Sequence, residues 1–374
     1  MENEKEGSIR AEEKELKKET STLESTVKSL KIITYISLLI GIIAIVVAAY
    51  ALFGIRTTPP VVQPTTVQPI PNTTFAGYNI TGTLITPPIS IPSDPVITAQ
   101  QPFGTRLTNI NAPLNASELA AINDAPNSYY EKAGEMLLNG SLTNEVGTTP
   151  TAVPMLIVNG KPSVIYLGSI TCIFCGENRW AMAMALSRFG NFTALFKGYS
   201  SFGDGDLPTL YWSPAHYNQS TVDLGSFYKS NYVNFIVIED TDPITGGFNL
   251  QPLNVIQQEI NSAGNSVYST AMAYILKLNN FQGTPYTIWG KYNVGGADAV
   301  VLGNTTPTSA SSLPMTYMTH DQIFQQLSNP SSQFAWSEYA AADLYVAMIC
   351  SSINNSAPVC SLPAIKQIEA SRGI

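Results

Sequence analysis

Apolar and polar positions follow three regimes along the chain. Between Lys31 and Arg56 no residue is charged, and the 24 positions Ile32–Ile55 read IITYISLLIGIIAIVVAAYALFGI. As a helix this run is about 36 Å long, enough to cross a hydrocarbon core of roughly 30 Å. Tyr35 and Tyr50 stand near its ends, where amphipathic rings favour the membrane interface. Ahead of it, Ile9, Leu16, Leu23 and Leu30 repeat every seven residues in a charged segment, which predicts a solvated helix or a short coil. After it, residues 57–102 carry ten prolines among many Thr and Val. Proline removes backbone donors and fixes φ, so this stretch predicts an extended, semi-rigid stalk.

From residue 103 onward the pattern alternates between helical and strand periods. Ala116–Asn123 and Tyr129–Asn139 read as helices. Pro154–Val158 and Ser163–Leu167 are apolar runs around an Asn-Gly turn and read as strands. Gly176–Phe189 is a helix apolar on nearly every side, as expected where a helix is packed on a sheet and covered again. Phe235–Ile238, Tyr286–Trp289 and Ala299–Leu302 read as strands. Leu253–Ala263, Val267–Leu278, Thr319–Leu327 and Ser332–Ile353 read as helices, with Thr319 and Gln322 at capping-box spacing. The stretch 201–230, rich in Gly, Pro, Ser and Tyr, fits no element and reads as an insertion or a long functional loop. Alternation of this kind predicts an α/β layered domain.

Charge sharpens this division. Residues 1–31 hold seven Lys/Arg and eight Glu, whereas residues 57–374 hold only 11 basic and 19 acidic residues. Seven basic residues precede the apolar run and only Arg56 closely follows it, which predicts a cytoplasmic N-terminus and an extracytoplasmic remainder. The long charged leader argues for a retained anchor over a cleaved signal peptide. The expected plan is a cytoplasmic helix 1–31, a membrane span 32–55, a stalk 56–102 and an outer domain 103–374. The net charge of −8 excludes nucleic acid as a partner, because no cationic field meets phosphate. Eight N-x-S/T sequons, at Asn72, Asn79, Asn115, Asn139, Asn191, Asn218, Asn304 and Asn354, fall in the part expected outside, consistent with a glycoprotein.

The chemistry rests on four cysteines. Cys172 and Cys175 form a CxxC pair, a spacing that fits a zinc knuckle as well as a redox couple. A zinc site needs further close ligands, yet Cys350 and Cys360 stand ten apart and His216 and His320 are isolated. The pair follows the apolar run SVIYLG and opens a helix, with Thr171 as the expected N-cap. Cys172 then meets free backbone N–H groups and the positive helix end, which favour a thiolate nucleophile. Cys175, one turn deeper, can resolve a mixed disulfide. A tight, inert bridge between the two is the bland alternative. Cys350, near the end of the long C-terminal helix, and Cys360, beyond the loop SSINNSAPV, read as a structural disulfide, with a second relaying redox pair as the alternative. Asp204 and Asp206, like Glu239, Asp240 and Asp242, match no calcium loop, and neither a metal nor another cofactor is expected.

The strand–CxxC–helix at Val164–Phe189, together with Gly283-Thr284-Pro285-Tyr286-Thr287-Ile288 downstream, resembles the thioredoxin superfamily, in particular its Dsb-type members. With anchor and stalk, the whole is similar to archaeal membrane-anchored thioredoxin-like proteins. The resemblance implies a thioredoxin-like fold with an inserted helical or loop subdomain around 200–280. It implies a cis Pro285 facing the CxxC and a Thr284 backbone that binds an extended substrate peptide. Its functional implication is a membrane-anchored, extracytoplasmic thiol–disulfide oxidoreductase acting on cysteines of secreted or surface proteins, with a possible redox partner in the membrane. The alternative is a non-catalytic thioredoxin-like cell-envelope binding module on the stalk. The chain departs from the family pattern at Thr171, at Ile173-Phe174 between the cysteines, and at Tyr166, where thioredoxin carries a buried acid; the direction of electron flow is therefore not implied.

Overall fold

A computed structural model describes residues 78–90, 109–139, 150–170, 172–200, 207–215, 221–241, 253–279, 284–293, 318–329 and 331–374. All of them belong to one compact unit, Thr74–Ile374. The expected cytoplasmic helix and membrane span, and the strand expected at 299–302, lie outside the described residues. Among the described residues no helix is long and apolar enough to cross a membrane.

The elements run β1 (Tyr78–Ile80), α1 (Ala116–Asn123), α2 (Asn127–Leu138), β2 (Thr151–Ala152), β3 (Leu156–Val158), β4 (Lys161–Ser169), α3 (Ile173–Ser187), β5 (Gly190–Phe192), β6 (Phe196–Tyr199), β7 (Pro208–Tyr211), β8 (Thr221–Leu224), β9 (Tyr228–Ser230) and β10 (Asn234–Thr241). They continue through α4 (Leu253–Ser262), α5 (Ser266–Asn279), β11 (Tyr286–Trp289), β12 (Tyr292–Asn293), α6 (His320–Leu327), α7 (Gln333–Ser352), a 3-10 turn (Pro358–Ser361) and α8 (Pro363–Arg372). The fold is mixed α/β.

The centre of the sheet is β4. It pairs in parallel with β10, Ser163–Ser169 against Asn234–Asp240, and antiparallel with β11, Val164–Leu167 against Trp289–Tyr286. β12 folds back on β11, and β8 lies antiparallel on the outer edge of β10. β3 and β4 form a hairpin whose Asn159 and Gly160 have φ of 51° and 79°, the double positive φ that an Asn-Gly turn supplies at low cost.

Side-chain alternation splits the core in two. Val164, Tyr166, Phe235, Val237 and Trp289 point to the face covered by α3 and α7. Ile165, Leu167, Ile236, Ile238 and Ile288 point to the opposite face, covered by α4 and α5. A sheet covered on both sides explains why β4 and β10 are continuous apolar runs without polar alternation. It also explains the nearly all-round apolar α3 and the wholly buried middle of α7, which pack on each other as well as on the sheet.

Several expectations change. Residues 201–230 are not an element-free loop: β7, β8 and β9 fall within them, and Leu207, Leu210, Tyr211 and Trp212 are fully buried. β7 lies on α3, where Trp180 Nε1 donates to Pro208 O at 3.1 Å and Thr209 Oγ1 donates to Gly176 O at 2.5 Å. Strands of only three or four residues are too short for periodicity to rise above a Gly- and Pro-rich background. The proline-rich segment is not stalk throughout. Within it, β1 pairs in parallel with β3, and Ile80, Leu84 and Ile85 pack on the core under α4 and α5. At a sheet edge one side of a strand needs no ladder donors, so proline-rich flanks are compatible with it.

Candidate functional site

The carboxyl end of β4 delivers the chain to the CxxC. Gly168 makes room there for the Tyr166 ring: a Cβ at this position would lie 2.2 Å from the Tyr166 hydroxyl folded across it and would force that ring to move. Thr171 lies outside the described residues, and the N-cap of α3 is not Thr171 but Cys172 itself (φ −72°, ψ 124°). Its Sγ accepts the Cys175 N–H at 3.4 Å, the bond that an N-cap side chain normally makes to the first helical turn. The first cysteine thus occupies the position where helix N–H groups and dipole concentrate positive potential.

Cys172 is half-buried and Cys175 fully buried, and both are free thiols. The Cys172 thiol faces the Thr284 carbonyl, with Sγ 4.0 Å from the oxygen, and the Thr284–Pro285 peptide is cis. Residues 112 apart in sequence are therefore brought together by the pairing of β4 with β11. The electrostatics separate the two sulfurs. Cys172 is held below the usual thiol range, chiefly by its hydrogen bond with the Cys175 side chain, with burial opposing and the Cys175 N–H and Arg179 adding to the lowering. Cys175 is pushed well above that range by burial, and by the thiol it faces. One sulfur is suited to attack from the surface and the other to wait in the interior.

The sequence reading missed the charged pair beneath them. Arg179 and Glu239 are both buried and form an ion pair, Nε to Oε1 at 3.1 Å, with Nη2 on the same oxygen. Glu239, weighed above as a calcium ligand, is thus the counter-ion of a guanidinium. Among the described residues no group of three His, Cys, Asp or Glu could hold a metal ion. The available signal was Arg179 itself, a basic residue one turn after Cys175 in a helix that is otherwise apolar nearly all round beyond its first turn. Asp204, Asp206, Asp242 and His216 lie outside the described residues. His320 is buried in the first turn of α6, its Nε2 2.8 Å from Thr209 O, and burial lowers its pKa to about 4.

Cys350 and Cys360 are joined by a disulfide with a Cα–Cα distance of 5.5 Å. Both are fully buried, and the bridge ties the last turn of α7 to the 3-10 turn before α8. This is the expected structural pinning.

A family model described as a domain of unknown function, DUF929, matches residues 154–351. The chain belongs to the DUF929 family. The DUF929 region contains β4, the CxxC, the Arg179–Glu239 pair and the Thr284–Pro285 peptide. It ends just after Cys350, leaving Cys360 and α8 outside the match. No curated protein and no solved structure matches the chain.

Proposed function

We propose that this protein is a membrane-anchored, extracytoplasmic thiol–disulfide oxidoreductase with a thioredoxin-like fold. The observation that carries the reading is the half-buried Cys172 sulfur at the mouth of α3, facing the carbonyl before the cis Pro285. The order of elements supports it as well. β4, α3, β10, α5, β11, β12 and α7 follow one another with the sheet order β10-β4-β11-β12, a parallel pair beside an antiparallel hairpin. This order is compatible with the proposed fold but not with a helical or loop insertion spanning 200–280: β10 pairs with β4, α5 covers the sheet, and it is β5 to β9 that stand between α3 and β10.

The chemistry is disulfide exchange. The Cys172 thiolate attacks one sulfur of a client disulfide, forming a Cys172–client bond and expelling the other client sulfur as a thiolate, which takes up a proton. Cys175, deprotonated, then attacks the Cys172 sulfur. The Cys172–Cys175 bond forms, the mixed disulfide breaks, and the client leaves as a dithiol. Two electrons pass from protein to client, and the reverse sequence oxidises a client dithiol. Thr284 offers backbone groups beside the reacting sulfur, where an extended client segment would lie. The span 32–55 would tether the domain, with a redox partner in the membrane restoring the pair.

The test is a Cys175→Ser variant expressed in full length. It is expected to accumulate mixed disulfides with client proteins that disappear on reduction and in a Cys172→Ser/Cys175→Ser double variant. Absence of adducts, together with no disulfide-reducing activity on insulin, would overturn the reading in favour of a non-catalytic envelope module.

A further inference from the structure

The CxxC helix carries a buried cation that disulfide exchange, as written above, leaves without a task. Arg179 is fully buried one helical turn beyond Cys175. Its partners come from three strands. Besides Glu239 of β10, Nη2 donates to Ser169 O of β4 at 2.9 Å, and Nη1 donates to Thr209 Oγ1 of β7 at 3.5 Å. The guanidinium carbon lies 5.9 Å from the Tyr166 ring centre and 5.8 Å from that of Tyr211. Such a pair is a weak source of stability, because desolvating two ions offsets most of their attraction, so its place in this core calls for another reason.

Ser169 supplies one. The residue whose carbonyl is held by Arg179 also directs its own N–H at Cys175 Sγ, 3.5 Å away. Cys175 must become an anion when it attacks the mixed disulfide, and an anion in a dry interior is costly without a nearby positive charge. We propose that the Arg179–Glu239 pair is a positioning device for the two thiols: Arg179 sets a fixed positive charge beneath the sulfurs and holds Ser169 against Cys175, while Glu239 limits how much of that charge the sulfurs feel. The ionisable groups facing Arg179 are Tyr166 of β4, Tyr211 of β7, Glu239 of β10 and the cysteines of its own helix. Asp223 of β8 lies directly opposite Glu239, and burial and Glu239 raise its pKa to about 7. Arg179 also acts to lower the pKa of both cysteines.

The purpose of this device rests on the oxidoreductase reading, but its existence is measured without a client. Thiolate absorbance against pH, and the equilibrium of the Cys172–Cys175 pair with glutathione, are read on the full chain and on Glu239→Gln, Arg179→Met and the double variant. Glu239→Gln unmasks the cation, so the sulfurs ionise at lower pH, with an ionisation constant raised about tenfold, and the equilibrium moves toward the dithiol. Arg179→Met moves both readouts in the opposite direction. The double variant, which leaves no buried charge unpaired, also lies on the Arg179→Met side of the wild type and keeps the comparison available if the single variant fails to fold. Shifts of one sign in Glu239→Gln and the double variant, or no shift in either, would overturn the proposal. Opposed shifts in a protein that forms no client adducts would uphold the device and sink the enzyme reading.

Discussion

The two cysteine pairs occupy opposite ends of two helices that pack on each other. Cys172 caps the N-terminus of α3, half-buried, with a backbone N–H directed at its sulfur. Cys350 sits in the last turn of α7, fully buried, where the helix dipole disfavours an anion. The first pair is split into a low-lying and a high-lying thiol, whereas the second is bonded and closes a short loop. The same residue type therefore serves exchange or pinning according to the helix end and depth at which the fold sets it. Spacing contributes as well. Three residues along a helix place two sulfurs in one turn, while ten residues through a reversal bring the chain back onto the helix.

The sharpest way to break this comparison is to disable each pair in turn. Cys172→Ser is expected to lower disulfide-reducing activity to the rate of buffer alone, while the Cys350→Ala/Cys360→Ala double variant keeps activity at temperatures where it remains folded. An active Cys172→Ser protein would show that α3 carries no nucleophile. Next in size is stability. Losing the Cys350–Cys360 bridge is expected to cost about 3 kcal/mol in denaturant unfolding, the loop-closure value for a separation of this order. A Cys172→Ser/Cys175→Ser variant should differ from reduced wild type by much less, because no bond is lost.

A third measurement compares the sulfurs within the first pair. Alkylation of the reduced protein should modify Cys172 first, with a rate that reaches its plateau at lower pH than that of an ordinary thiol of pKa 9.0. Cys175 should react only on unfolding. Equal rates for the two would remove the distinction drawn between attacking and resolving sulfurs.

The smallest effect tests what lies between the two pairs. Glu177 of α3 and Glu338 of α7 are fully buried, and neither carboxyl oxygen of Glu177 has a hydrogen-bond partner among the described residues. Burial raises both well above the usual value of 4.5, Glu177 further because it faces Glu338. A carboxyl that ionises more readily unfolded than folded costs stability as pH rises from its unfolded value toward its folded one. Glu338→Gln is therefore expected to stabilise the protein at neutral pH by about 1 kcal/mol and to leave it unchanged near pH 4. Thermal unfolding at the two pH values reads this out. Stabilisation at both would mean that packing, not charge, is at work.

Legibility in the sequence followed length and mechanism. The helices at 116–123 and 320–327 and the strand at 286–289 were readable because capping residues, apolar period or a preceding proline marked their ends. The strands β7, β8 and β9 were not, because segments so short become strands only when a neighbour supplies the ladder. Arg179 and Glu239 stand 60 residues apart, and nothing local links them.

The sequence by itself determined the alternation of elements, the helix that opens at the CxxC, and the covered sheet implied by uninterrupted apolar runs. It did so because hydrophobic period and capping act within a few residues. Only the tertiary structure decided how deeply each sulfur is desolvated, how close the Thr284 carbonyl comes to Cys172, and which buried charge lies beneath them. Those properties depend on desolvation and on distances between segments that β4 brings together through its pairing with β10 and β11, and a buried charge is tolerated only where the whole fold supplies its partner.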